Sequence, residues 1–397
     1  MAKQRLWGLT LLERNLRELD SLGIREAVVV TRPESDPAEY FHHPQPKSLT
    51  ISFVSAQNSS PFESLRKALE ENGQNVLALE ANALNDRRIL KKLTETISSC
   101  GLISPNGLNK AGAAVLSSGE VELFNGESTE NLTAAIEENL QNAKLRKLEL
   151  SSFKTYVSNL RRDIVPFMIL IENSSHLKNA DDFLRQTVHK GTNDFVAKYI
   201  HPPFEFGIAR YLAQTFITPN MVSFLNLLLS ILAAYLFATG SLLVGGLVAA
   251  IKGILDGVDG KLARLTLKFS KIGDLLDHGT DTIFDAIWYL ALGWHFSNGD
   301  FSSVAATFTV ILFISYCVER IMPGIFKKLH GREIYDYAKI DRFMRLIGSR
   351  MNNNIWCLLI GTLLGWAKEA FYFISIWMLL TAAWHTFRLF NISFLRR

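Results

Sequence analysis

The hydrophobic pattern of the chain changes character near residue 190. Up to that point apolar positions recur with periods of about two and about 3.6 residues in turn. The pattern predicts a helix over 10–22, strands at REAVVVT and LTISFVS, a helix over 61–72, a strand at NVLALEA and a helix over 85–99. Further strands at AAVLSS, VELF and FMILI and helices over 127–147 and 176–188 complete the series. Strands alternating with helices in this way argue a doubly wound α/β layer. From residue 219 onward the pattern becomes long apolar runs, at 219–239, 242–266, 279–296, 302–322, 352–367 and 369–388. Each approaches the roughly 20 residues that cross a hydrocarbon core. The predicted fold class is an α/β doubly wound cytosolic domain (1–190) followed by an all-α six-helix transmembrane domain (219–397). Between them, residues 191–218 mix aromatic and cationic side chains as a helix lying in a membrane interface would.

Composition sharpens this division. The overall apolar fraction of 48% in 397 residues averages two unlike halves. The three cysteines, Cys100, Cys317 and Cys357, show no paired spacing and read as buried or lipid-facing thiols. The start, MAKQRLWGLTLLERNLRELD, lacks the apolar stretch of a secretory signal, so the first half is expected to stay in the cytoplasm. A net charge of +4 is too small to argue for nucleic acid. Its distribution is more useful. The links after the first, third and fifth runs, GSL, HFSNGDFSS and GWAKEA, hold one lysine, whereas the links after the second and fourth hold Lys268 and Lys271, then a series from Lys327 to Arg350. By the positive-inside rule the charged links, both termini and whatever site they border are cytoplasmic.

One stretch breaks the apolar pattern: DGVDGKLARLTLKFSKIGDLLDHGTD, residues 256–281. On a helix, Asp256, Asp259, Gly260, Ala263 and Arg264 fall within an arc of about 140° and share a face. Gly273, Asp277 and Asp281, four residues apart, form a stripe on the next helix. Carboxylates in a membrane helix are costly unless they face water, a partner or an ion, so four on neighbouring stripes suggest a cage for a divalent cation. All-oxygen donors favour Mg²⁺ or Mn²⁺, which in turn recruit phosphate. Small residues alone would fit close helix packing, and aspartates alone would fit an ion pathway; the cage accounts for both together. Arg264 offers a planar fork suited to phosphate oxygens.

The spacing D-x2-D-G-x2-A-R-x8-G-x3-D-x3-D resembles the signature of the CDP-alcohol phosphatidyltransferase family, over roughly residues 190–397. The resemblance implies that an alcohol hydroxyl attacks the β-phosphorus of a CDP-alcohol, such as CDP-diacylglycerol or CDP-inositol, and displaces CMP. It implies a two-metal centre of Mg²⁺ or Mn²⁺ on Asp256, Asp259 and Asp277, with Asp281 as further ligand and general base. Asp256, Gly260, Ala263, Arg264 and Gly273 would contact the CDP moiety. Pro219 and Asn220 resemble the family's PN at the start of its first span, near the nucleotide, although Asn220 fits equally well as a plain helix-start residue. Acceptor pockets in this family lie outside the motif and are commonly basic when the acceptor carries phosphate. Lys271, Arg320, Arg342 and Arg345 are available for that role, and topology alone would also place them on the cytoplasmic side. The family further implies a homodimer. Asp274 and Asp285 fall outside the pattern and read as solvated or helix-pairing groups, and Lys252 as a snorkelling side chain or ion-pair partner.

In the first half, LTLLERNLRELDSLGIREAVVVT is similar to the segment that follows the glycine-rich loop of sugar nucleotidyltransferases. Such a domain precedes a CDP-alcohol transferase domain in bifunctional inositol-1-phosphate cytidylyltransferase/di-myo-inositol-phosphate phosphate synthase proteins. Here the glycine-rich loop that would cradle a triphosphate is missing, and ALEANALND stands where a metal-binding aspartate is expected. The domain is expected to be noncatalytic. Two classes of function follow: a membrane phosphotransferase of phospholipid or inositol-phosphate-type biosynthesis, or a membrane-anchored pseudoenzyme or scaffold. The intact set of carboxylates favours the first, since a scaffold has no need of them in costly positions.

Overall fold

A computed structural model describes residues 1–32, 35–46, 48–55, 75–104, 110–117 and 131–394, with the backbone path alone for 271–278, 280 and 281. The helix expected at 61–72, the strand at VELF and the start of the helix at 127–147 lie outside the described residues. Contacts divide the chain into two units. Unit 1 comprises Met1–Thr155 and Asp163–Thr187; unit 2 comprises Tyr156–Arg162 and Val188–Arg397.

Unit 1 contains sheet and helix. Helix α1 (Leu11–Ser21) starts at a reciprocal cap in which Thr10 Oγ1 accepts from Glu13 N at 3.0 Å and Glu13 Oε2 accepts from Thr10 N at 2.9 Å. The other oxygen of Glu13 takes the backbone N–H groups of His42 and His43, both at 2.8 Å. Strands β1 (Glu26–Thr31) and β2 (Thr50–Ser55) pair in parallel, Val28 opposite Ser52. Strand β3 (Val76–Leu79) and β5 (Cys100–Ile103) both pair antiparallel with β6 (Gly112–Leu116), and β4 (Ala83–Asn85) pairs antiparallel with β7 (Met168–Leu170). Being flanked on both edges, β6 is buried along its whole length, which explains its unbroken run of small and apolar residues. Helices α2 (Arg87–Thr94), α3 (Leu132–Gln141) and α4 (Ser174–Val188) complete the unit, α4 ending at the boundary. Of the doubly wound order expected from the pattern, the described strands supply the parallel pair β1–β2 and a short parallel pairing of β5 with Arg146–Lys147; the pairings of β3 and β5 with β6 and of β4 with β7 are antiparallel. Helix α2 stops at Thr94, short of the expected end at 99, and the unexpected strand β5 begins just past that end, in a short buried run that periodicity does not assign to helix or strand.

Unit 2 is helical. After a short π-helical turn at Val196–Ile200 come α5 (Pro202–Leu212), α6 (Pro219–Ala238), α7 (Leu242–Thr266), α8 (Lys271–Ser297) and α9 (Val304–His330). Then follow α10 (Lys339–Ile347), α11 (Met351–Leu363) and α12 (Ala367–Phe394). Thr218 Oγ1 caps α6, with Pro219 in its first turn. The core joins Phe237, Trp288, Phe371 and Met378, with Phe237 and Trp288 packed edge to face at 5.9 Å. Trp288 Nε1 donates to the Ser230 carbonyl at 2.8 Å, so the indole loses no hydrogen bond on burial. On α6, Phe224, Leu228, Ile231 and Tyr235 point outward, exposed on the protein surface. Among the described residues three helices, α6, α9 and α12, are long and apolar enough to cross a membrane. Helix α11, with 13 residues, reaches only about 20 Å at 1.5 Å per residue.

Candidate functional site

Helix α7 carries the first half of the motif on a polar face inside unit 2. It ends where Leu267 takes a left-handed conformation (φ 54°) and Lys268 N closes on the Ala263 carbonyl at 3.1 Å, reversing the chain into α8 within four residues. Asp259 is 4% exposed and points toward α6, where Ser223 Oγ donates to its Oδ2 at 2.7 Å and Asn226 Nδ2 stands at 3.5 Å. Asp256, one turn earlier, opens into a cavity, with Lys252 Nζ at 3.8 Å. Arg264 Nε donates to the Val188 carbonyl at 3.0 Å, which fixes the plane of its guanidinium.

Helix α5 packs on another side of α7. Glu205 pairs there with Lys261, both almost fully buried, and His201 Nδ1 lies 3.9 Å from the same carboxylate. Burial pushes the Glu205 carboxyl up, opposed by Lys261, and pushes the His201 imidazole down. Neither ring nitrogen of His201 has a hydrogen-bond partner among the described residues. Glycine is needed at 257, because a Cβ there would run into the Glu205 carboxylate.

The cavity holds about 370 Å³. Asp256, Gly260 and Arg264 line it from α7, Arg320 from α9, Arg345 from α10 and Arg350 from the residue before α11. Arg320 is committed: its Nη2 meets Asp285 Oδ2 at 2.5 Å and its Nε donates to Tyr316 Oη at 2.9 Å. Arg350 Nη1 stands 3.3 Å from Glu319 Oε1, whose other oxygen contacts His385 Nδ1 at 2.6 Å. Arg345 differs from both. It is 6% exposed, its Nε and Nη1 have no partner among the described residues, and its guanidinium stacks 4.0 Å from the Tyr335 ring. Burial, then the neighbouring Arg350 cation, brings its pKa down to about 9. An anion entering here would relieve both causes. Nearby, burial and the surrounding cations Lys261, Arg162 and Arg264 push His189 down to about 4.

The cavity thus brings together Asp256, Gly260, Arg264, Arg320 and Arg345. Asp259 sits behind its wall, bonded to α6. Ala263 is half-buried one turn on, and Asn220 Oδ1 accepts from Ser270 Oγ at 2.8 Å, tying the start of α6 to the turn before α8. Arg342 is exposed on α10, outside the cavity lining. Lys271, Gly273, Asp277 and Asp281 occupy the first three turns of α8, with only their backbone described. Asp285, read from the sequence as a group outside the pattern, is buried and ion-paired with Arg320. The described metal donors are the two carboxylates Asp256 and Asp259, three residues apart on one helix; among the described residues no group of three acidic, histidine or cysteine side chains is gathered.

Several residues of the site escape sequence reasoning. Lys261 lies within the second apolar run, Arg350 passes for a topological charge, and Glu205, His189 and Arg161 belong to segments without a motif; Lys252, read from the sequence as a snorkelling side chain or ion-pair partner, stands 3.8 Å from Asp256. His201 and Glu205 carried a weak signal, an i,i+4 pair in an otherwise apolar interfacial segment.

Residues 216–386 match the family model described as CDP-alcohol phosphatidyltransferase. The chain is 31% identical over 214 residues to the bifunctional IPC transferase and DIPP synthase of Aquifex aeolicus, covering 53% of this chain and 47% of that protein. It is 39% identical over 88 residues to the archaetidylinositol phosphate synthase of Pyrococcus horikoshii, covering 22% of this chain and 47% of that protein. It therefore spans about half the length of the curated relatives it matches. Among solved structures, the phosphatidylinositol phosphate synthase of Mycobacterium tuberculosis with CDP-DAG bound aligns with a TM-score of 0.38 at 18% identity, over 48% of this chain and 94% of that one.

Proposed function

We propose, from the match of residues 216–386 to the CDP-alcohol phosphatidyltransferase model, that the protein is an integral membrane phosphotransferase that moves a phosphoalcohol group from a CDP-alcohol to an acceptor hydroxyl and releases CMP. One observation carries the reading: a motif aspartate, Asp256, and an unpartnered buried cation, Arg345, face the same cavity. A nucleotide diphosphate at the first and an anionic acceptor at the second would bring hydroxyl and phosphorus together.

The new bond joins the acceptor oxygen to the β-phosphorus, the bridging P–O bond to CMP breaks, and the hydroxyl proton passes to a carboxylate. Asp281, three turns into α8, is the base we assign. Asp256, Asp259, Asp277 and Asp281 would hold two divalent cations, Mg²⁺ or Mn²⁺, which supply neutralisation of the diphosphate and of the departing CMP. Asp256 and Asp259 suit that set in kind, because both are hard oxygen donors one turn apart on α7 and Ser223 already orients the second. Arg264, held through its Nε, presents its fork beside Gly260, where a Cβ would lie 3.3 Å from both terminal nitrogens. Ala263 and Gly273 would leave room for the CDP moiety, and Asn220 would border it.

The donor is of the CDP-diacylglycerol or CDP-inositol type, and the acceptor is an alcohol or phospho-alcohol met by Arg345 and Arg320, with Lys271 and Arg342 as further candidates. Six membrane spans with both termini and the site on the cytoplasmic side, and a homodimer, complete the reading; the one-sided arrangement of Lys and Arg supports the topology. Purified full-length protein supplied with CDP-diacylglycerol, an acceptor alcohol and Mn²⁺ should release CMP. Chelation should abolish release, and Asp281→Asn should lower it by at least 10²-fold, the range of general-base loss. Release unaffected by Asp281→Asn would overturn Asp281 as the base, and no release with any CDP-alcohol would leave the scaffold reading in its place.

A further inference from the structure

The acceptor side of the cavity contains a residue from far outside the family domain. Residues 156–162, within the first half of the sequence, pack with unit 2 as a small hairpin: Tyr156–Val157 pairs with Arg162–Asp163, and a tight turn at Ser158–Leu160 forms its tip. Arg161 ends that turn in a left-handed conformation (φ 51°, ψ 45°), unusual for a residue with a side chain, and its side chain lines the cavity.

The hairpin is clamped at both ends. Tyr156 Oη donates to Asp336 Oδ2 at 2.7 Å, and Arg332 lies over its ring at 4.4 Å. At the tip, the Leu160 carbonyl accepts from Gly191 N at 2.7 Å. Glycine is required at 191, since a Cβ would stand 2.7 Å from Arg162 Cβ and 2.8 Å from the Arg161 carbonyl oxygen. This support accounts for how a strained backbone persists, and such strain is retained where it positions something.

What it positions is a third guanidinium on one aromatic ring. Arg345, Arg161 and Arg350 lie 4.0, 5.6 and 5.7 Å from the centroid of Tyr335. Arg350 is satisfied by Glu319, while Arg161 and Arg345 have no carboxylate partner among the described residues. Arg161 is close enough to contribute to the lowering of the Arg345 pKa. Two unpaired cations held together around one ring are in mutual repulsion until a multivalent anion arrives between them.

Resting on the reading of the cavity as an acceptor site, we propose that Arg161 is a specificity-determining residue: with Arg345 it binds a phosphate carried by the acceptor, so the enzyme selects phosphorylated alcohols over free ones. The test compares full-length wild type, Arg161→Ala and Arg161→Lys in CMP release, with CDP-diacylglycerol as donor and myo-inositol 1-phosphate or myo-inositol as acceptor. Losing a charge-assisted contact should raise KM for the phosphorylated acceptor by about 10- to 100-fold. The KM for the donor and the weak rate with the unphosphorylated acceptor should stay within about twofold, and Arg161→Lys should fall between. An unchanged acceptor KM would overturn the proposal, and so would a parallel rise in donor KM, which would mark a structural role. Should the wild type turn over no CDP-alcohol, the reaction reading fails and phosphate binding decides Arg161 by itself: inorganic phosphate should protect the wild type against thermal unfolding more than Arg161→Ala, and equal protection would overturn it.

Discussion

Gly257 shows how much of this site depends on single positions. It lies one residue after a motif aspartate and belongs to no motif, yet Glu205, 3% exposed and paired with Lys261, fills the space a methyl group would need. The carboxylate has nowhere to go without leaving its ammonium partner. Gly257→Ala should therefore cost about 1–3 kcal/mol, the usual cost of overpacking a filled interior. Thermal unfolding in detergent measures it, and an unchanged Tm would refute the packing argument. Legibility at this scale follows sequence distance. Asp256, Gly260 and Arg264 could be placed on one face from their spacing alone, because a helix turns four residues of separation into proximity. Glu205 and Arg161 could not, because they reach the cavity through tertiary packing that local periodicity does not encode.

At the scale of elements, α10 reverses the ordinary amphipathic order. Its exposed face carries Ile340, Phe343 and Ile347, while Asp341 and Arg345 point inward, buried. This explains why the stretch reads as a charged link: its cations look like topology signals, but Arg345 serves the interior. Helix α10 is secured by a two-pronged pair, Arg388 Nε to Asp341 Oδ1 at 2.6 Å and Nη2 to Oδ2 at 2.7 Å, while Ala338 N donates to Asp341 Oδ2 at 3.0 Å. Removing one partner strands the other charge. Asp341→Ala should lose about 3–5 kcal/mol, whereas replacing both, Asp341→Leu with Arg388→Met, should be far milder. Equal losses in unfolding experiments would argue against an uncompensated charge as the cause. The long elements were easier to foresee. The runs at 219–239 and 242–266 coincide with α6 and α7 to within a residue, since sustained apolar length has few structural outcomes. The strand pairings of unit 1 were not legible, because register and direction depend on partners distant in the chain.

For the molecule as a whole, the concentration of cations around the cavity has a pH consequence. His189 is held down to about 4 by burial and by Lys261, Arg162 and Arg264, against about 6.5 when unfolded. Between those values the unfolded chain binds a proton that the folded one refuses, so stability present above pH 6.5 drains away as the pH falls toward 4. Glu205, whose carboxyl is raised, works in the opposite sense. Tm should fall across this window, and His189→Asn should flatten the decline; an unaltered slope would assign it to other groups.

The hairpin at 156–162 also orders events during synthesis. Arg161 leaves the ribosome before α6, the first of the three helices long and apolar enough to cross a membrane among the described residues, whereas Tyr335 and Arg345 follow α9, the second of them. The basic end of the cavity is thus assembled from the first segment of unit 2 and from the stretch between α9 and α11. A chain stalled or cut after α8 carries every motif aspartate but not this cation cluster, whose residues are all in place only once α10 and Arg350 have been made.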